Sequence, residues 1–164
     1  MLIYRQILKY LLPLRLARGI RPQPALLKKY DIPETYLQLI DAAFQGDVSE
    51  FLNLLDLQME SFIKSNTYFL FEKLEWICFR TLFKETYNQT GQEFKVPYQL
   101  FLDAWRLSAQ RHNRNDKIGV EDLECVLANL IDRGYMKGYL SNERQFIVLS
   151  KADPFPSLKN IDLK

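Results

Sequence analysis

The side chains with chemical reach in this sequence gather around one segment. Arg111, Arg114 and Lys117 stand just before a stretch of helical periodicity at 120–133, and Arg133, Lys137 and Arg144 accompany and follow its end. Six cations flanking one helix suit nucleic-acid phosphates, because backbone contact needs only positive charge within reach. The helix between them carries Glu121, Asp122, Glu124 and Asp132. So acidic a helix is poorly suited to a major groove, so we do not expect it to read base sequence. The acids of its first turn suit the positive end of the helix dipole. From the residues alone two readings of the basic rim stay open: contact with an RNA or DNA backbone, or a solvated charged rim without a partner.

Other chemistry is thinly represented. One histidine, His112, and two cysteines, Cys78 and Cys125, are too few for a disulfide scaffold, a four-cysteine zinc site or most histidine metal sites and catalytic triads. Both cysteines fall on stretches rich in Leu and Ile and are expected to be buried, inert thiols. No phosphate-binding loop, dinucleotide glycine motif or nucleophile elbow occurs. We therefore expect no catalytic residue, no metal ligand, no cofactor and no enzyme activity. Asn88-Gln89-Thr90 matches a glycosylation sequon, but nothing else points to secretion.

The elements that must hold these groups are helical. The chain has 164 residues, 48% apolar and 26% charged, with a net charge of +2. That is the composition of a folded domain rather than of a disordered or fibrous chain. No apolar run approaches the ~18 residues of a membrane span, so no membrane association is expected. The small net charge conceals blocks. Residues 1–30 hold Arg5, Lys9, Arg15, Arg18, Arg21, Lys28 and Lys29 and no acid. Residues 31–63 hold Asp31, Glu34, Asp41, Asp47, Glu50, Asp56 and Glu60 and no base.

Apolar spacing predicts a helix over 2–19, with Ile3, Ile7, Leu8 and Leu11 on one stripe, Pro13 kinking or ending it and Gly19 as its stop. No capping residue precedes Leu2, from which we expect the pattern to begin upstream. Pro24 and Pro33 open two further helices. Gly46-Asp47 reads as a tight turn, with Asp47 and Glu50 as a capping pair for the next helix. That helix should return antiparallel to its predecessor, giving helix pairs stacked as a right-handed solenoid. A long helix is predicted over 67–88, apolar on two sides and thus a joint between two parts. After it come a strand at 94–96, a helix from Pro97, a polar loop from Gln110 to Gly119, the helix at 120–133, and strands at 136–140 and 146–150 around the turn Ser141–Arg144. This order is that of a winged helix. The expected organisation is a helical-repeat part over 1–65, a winged-helix part over 66–152 with 67–88 as the joining helix, and a tail over 153–164.

Several segments carry a family resemblance: Leu8-Lys9-Tyr10-Leu11-Leu12-Pro13, Glu72-Lys73-Leu74 with Arg80-Thr81-Leu82-Phe83-Lys84, Cys125-Val126-Leu127-Ala128-Asn129-Leu130-Ile131, Gly134-Tyr135-Met136-Lys137-Gly138-Tyr139-Leu140-Ser141, and Ser150-Lys151 followed by Pro154-Phe155-Pro156. With them the chain resembles the PCI-domain family, in the branch of the nuclear transcription-and-export complex and its COP9-signalosome-named paralogue. The resemblance implies a mainly α fold of helical hairpins feeding a winged helix with a small β-sheet. It implies a non-catalytic scaffold for mRNA export that pairs with a second PCI-domain subunit and binds a small, acidic, largely disordered stabilising protein. It also implies a basic face for RNA or DNA and residence in the nucleus, at the nuclear pore, and also in the cytoplasm. The alternative is a purely protein-binding subunit of a COP9-signalosome-like or splicing-linked complex. Family members are longer at the amino end.

Overall fold

A computed structural model describes residues 2–114 and 117–161. Asn115 and Asp116 of the predicted polar loop, and residues 162–164 of the predicted tail, lie outside the described residues. The chain runs α1 (Leu2–Ala17), α2 (Pro24–Lys29), α3 (Glu34–Gln45), α4 (Val48–Lys64), α5 (Tyr68–Glu72), α6 (Glu75–Gln89), β1 (Lys95–Pro97), α7 (Tyr98–Arg111), α8 (Val120–Asp132), β2 (Gly138–Ser141) and β3 (Phe146–Leu149).

α1 passes through Pro13 instead of ending there. A proline removes one amide donor from the ladder, but Leu8, Leu12 and Leu16 bury a continuous stripe across it. The helix then closes at Gly19, whose φ is +74°. The Gly19 amide donates to Leu16 and the Ile20 amide to Arg15, which is a Schellman arrangement.

α3 and α4 form the predicted antiparallel hairpin. Asp47 caps α4, its carboxylate accepting the Glu50 amide at 3.3 Å. Gly46 joins the two helices at φ +74°, and a Cβ there would stand 2.6 Å from the Leu82 amide nitrogen. Glycine is needed twice, for the left-handed turn and for the close approach of the turn to α6.

The stretch predicted as one helix over 67–88 is two. Between α5 and α6 the Leu74 amide bonds Phe71, three residues back, so the coil tightens for one turn. The tightening lets two apolar faces meet different partners. Phe71 stacks on Phe62 at 4.5 Å and meets Tyr36 edge-on at 4.9 Å, whereas Phe79 and Phe83 of α6 meet Trp105 and Phe101 of α7. These contacts carry one buried cluster from the hairpin into the second half.

α6, β1, α7, α8, β2 and β3 make the winged helix. The antiparallel sheet has the order β1-β3-β2, with Val96 opposite Ile147 and Leu140 opposite Ile147 on the other side. The wing between β2 and β3 is a short 3-10 turn over Asn142–Arg144. Tyr98 pins it to the start of α7: its hydroxyl bonds Asn142 Oδ1 at 3.0 Å and its amide donates to Gln145. Beyond β3 the chain crosses back over α6, where Arg80 Nη2 donates to the carbonyls of Phe155 and Pro156 at 3.2 and 2.6 Å.

Candidate nucleic-acid interface

The polar segment after α7 is positioned by the two helices it joins. Arg106 donates through Nε and Nη2 to the Ile118 carbonyl, at 3.0 and 2.7 Å, which folds the segment back onto α7. At the start of α8 the Gly119 amide donates to Asp122 Oδ2 at 2.8 Å. One of the first-turn acids therefore satisfies an otherwise orphaned helix donor, as the dipole reading anticipates. Between these anchors lies a cavity of about 500 Å³ lined by Arg106, Ala109, Gln110, Arg114, Lys117, Ile118 and Gly119.

The six flanking cations have different surroundings. Arg111, Lys117 and Arg144 are exposed and make no hydrogen bond or ion pair among the described residues. Arg114 reaches back to α4, with Nη1 3.1 Å from Asn53 Oδ1 and 3.9 Å from Asp56 Oδ2. Arg133 lays its guanidinium over the Trp76 ring at 4.8 Å, a cation–π contact. Lys137 stands 3.3 Å from Asp153. Nor do the six form one patch. Arg111 ends α7, while Arg144 is on the wing that Tyr98 holds at its other end. At 1.5 Å rise per residue the two ends are roughly 20 Å apart.

The structure also brings together groups that the sequence reading left separate. His112 lies between two carboxylates of α4, Nε2 2.8 Å from Asp47 Oδ2 and Nδ1 2.9 Å from Glu50 Oε2. Ser108, one turn earlier, donates to Asp47 Oδ1 at 3.0 Å and accepts the Ser49 amide at 3.1 Å. With a carboxylate oxygen against each ring nitrogen, the imidazole ties the end of α7 to the start of α4. Burial pushes the Asp47 carboxyl up, but the bonds from His112, the Glu50 amide and Ser108 outweigh it and leave the group below the ordinary carboxylate value. The available signal was the four-residue step from Ser108 to His112, which places both on one face of α7. Nothing local says that this face meets Asp47.

Two further expectations meet different outcomes. Cys78 is fully buried, and burial raises its thiol well above the usual value. Cys125 is exposed, which corrects the buried assignment. The stripe Leu123, Val126, Leu127 and Leu130 carries the buried face of α8. Cys125 lies off that stripe and receives the Asn129 amide. Among the described residues no cluster of histidine, cysteine and carboxylate groups could hold a metal ion, and no helix is long and apolar enough to cross a membrane.

No family model matches the chain. Individual relatives do. It is 34% identical over 157 residues to PCI domain-containing protein 2 of Xenopus laevis, covering 96% of this chain and 38% of that protein. It is 37% identical over 158 residues to the protein of the same name in Danio rerio, with the same two shares. It is 31% identical over 157 residues to Protein CSN12 homolog of Schizosaccharomyces pombe, covering 94% and 35%. The chain thus spans less than two fifths of the length of these relatives.

Proposed function

Because the chain belongs to the PCI-domain family, we propose that it is a non-catalytic scaffold that pairs with a second PCI-domain subunit and lends its winged helix to RNA or DNA binding. The reading places it in a nuclear mRNA-export assembly, at the nuclear pore and also in the cytoplasm, with a small, acidic, disordered protein as a stabilising partner. One observation carries the nucleic-acid part: Arg111, Lys117 and Arg144 are exposed cations on the winged helix with no ion pair to an acid among the described residues. They would position a phosphate backbone without reading bases. Arg114, Arg133 and Lys137 remain candidates of a second kind, which must leave Asn53, Trp76 and Asp153 to take a phosphate.

The test is fluorescence anisotropy of labelled single-stranded RNA and duplex DNA across a salt series, with and without a PCI-domain partner. Three phosphate contacts predict a slope of about −2 in log affinity against log salt for a single strand. A span of roughly 20 Å corresponds to about six nucleotides at 3.4 Å each, so shorter oligonucleotides should lose the contribution of one end. Changing Arg111, Lys117 and Arg144 to Glu should abolish binding while the protein stays folded. Unchanged affinity in that variant would remove the nucleic-acid role.

A purely protein-binding subunit of a COP9-signalosome-like or splicing-linked complex is the second reading. The exposed acids Glu121 and Asp122 on α8 favour it, as does similarity to a protein named CSN12 homolog. A partnered complex that ignores both nucleic acids at low salt would select it.

A further inference from the structure

A second cavity of about 500 Å³ lies away from the winged-helix rim, where the end of α1, the end of α3, the middle of α6 and the returning tail converge. Among the described residues Arg18, Arg80, Lys84 and Lys159 line it against the single acid Glu85, with Phe44 and Phe155 among its apolar walls. Arg18, Lys84 and Lys159 make no ion pair among the described residues.

Arg80 is the unusual member. Its side chain belongs to a residue only 7% exposed, yet no carboxylate among the described residues pairs with it. Among the described residues Nη2 alone of its nitrogens has protein acceptors, the carbonyls of Phe155 and Pro156. Nε is buried and has no partner among the described residues. Asp153, whose charge acts on it from a distance, is in contact with Lys137 instead. Burial consequently lowers the guanidinium's affinity for its proton. A buried charge is ordinarily paired, and three more cations at the same cavity worsen the imbalance. An anion supplied from outside would correct both.

We propose that this cavity binds a compact polyphosphate-class anion, with Arg80 as its buried anchor and Arg18, Lys84 and Lys159 closing around it. Four cations on one concavity suit a small ligand of high charge density. A carboxylate-rich peptide spreads its charge along a chain and would leave most of it outside. A guanidinium also suits phosphoryl oxygens in geometry as well as in charge. The site is separate from Arg111, Lys117 and Arg144, so the proposal stands apart from the nucleic-acid reading.

The test is isothermal titration of the full chain with tripolyphosphate, alongside pyrophosphate, sulfate and a hexaglutamate peptide. The expected result is saturable one-to-one binding of tripolyphosphate, weaker binding of pyrophosphate and none of sulfate or the peptide. Lys84→Gln with Lys159→Gln, two substitutions on accessible side chains, should weaken it at least tenfold while the circular dichroism stays unchanged. Arg18→Gln gives an independent variant on a different element, and Arg80→Lys should weaken binding even where folding is retained. No saturable binding, or equal affinity in the Lys84/Lys159 variant, would overturn the proposal. So would a hexaglutamate peptide that competes as well as tripolyphosphate, which would assign the cavity to an acidic chain. Loss of the titration in Lys117→Gln with Arg144→Gln would place the anion on the wing and overturn it equally.

Discussion

Replacing Gly46 with alanine separates two effects that usually travel together. Gly46 has φ +74°, and Gly91, in the turn after α6, has φ +78°. Either substitution imposes the left-handed penalty of about 1–2 kcal/mol on an L-residue. The surroundings differ. A Cβ at Gly91 meets nothing within 4 Å, whereas one at Gly46 falls 2.6 Å from the Leu82 nitrogen and 2.8 Å from its Cα. Those are backbone atoms inside α6, which cannot rotate away, so the α3–α4 turn must move off the helix. Overpacking of this kind costs a further ~1–3 kcal/mol. Gly46→Ala should therefore lose about 2–5 kcal/mol and Gly91→Ala about 1–2. With a urea slope of about 2 kcal/mol/M, the midpoint falls by roughly 1–2.5 M in the first and 0.5–1 M in the second. Equilibrium urea unfolding followed by circular dichroism measures both. Equal midpoint shifts would refute the argument that close approach to α6, beyond backbone conformation, makes glycine necessary.

Three further outcomes follow from the same geometry. Asp47→Ala removes the α4 cap and the acceptor for Ser108 and His112, and should cost about 1–3 kcal/mol; a double-mutant cycle with His112→Ala should show coupling, and strict additivity would deny the contact. The Asp47 carboxyl lies below its ordinary value when folded, so its contribution is complete above the unfolded pKa near 4 and is lost as pH falls through the lower folded value. Wild type and Asp47→Asn should thus converge in stability on acidification, and a gap that widens would contradict the shift. A maleimide should label Cys125 in the native protein and Cys78 only on unfolding, and matched rates would place both thiols on the surface.

Much of this architecture is written locally. Asp47 with Glu50 three residues on, Gly46 before them and prolines at helix starts fix ends that depend on neighbours alone. Phe51, Leu55 and Phe62 of α4 are buried while Met59, at a compatible helical spacing, is exposed, because period does not tell which edge of a stripe meets a partner. The break between α5 and α6 escapes because Lys73 and Leu74 keep right-handed helical angles, and no glycine or proline marks it. Its cause is Phe71 seating against Phe62 and Tyr36. The exposure of Cys125 has a related cause, since apolar neighbours in sequence are not neighbours on one helix face. The His112 bridge spans 65 residues, and the Arg80 bonds to the tail span 75 and 76. Composition can supply such groups but cannot say which of them meet.

The lone imidazole of the chain sits where the helical hairpin meets the winged helix, with a carboxylate on each nitrogen. The molecule thereby carries a built-in spectroscopic label. Its ring protons give an uncrowded pair of magnetic resonance signals, without mutation or dye, from the place where the two halves are held together. A partner that levers α7 away from α4 shifts those signals directly, and one that docks elsewhere without straining the joint leaves them in place.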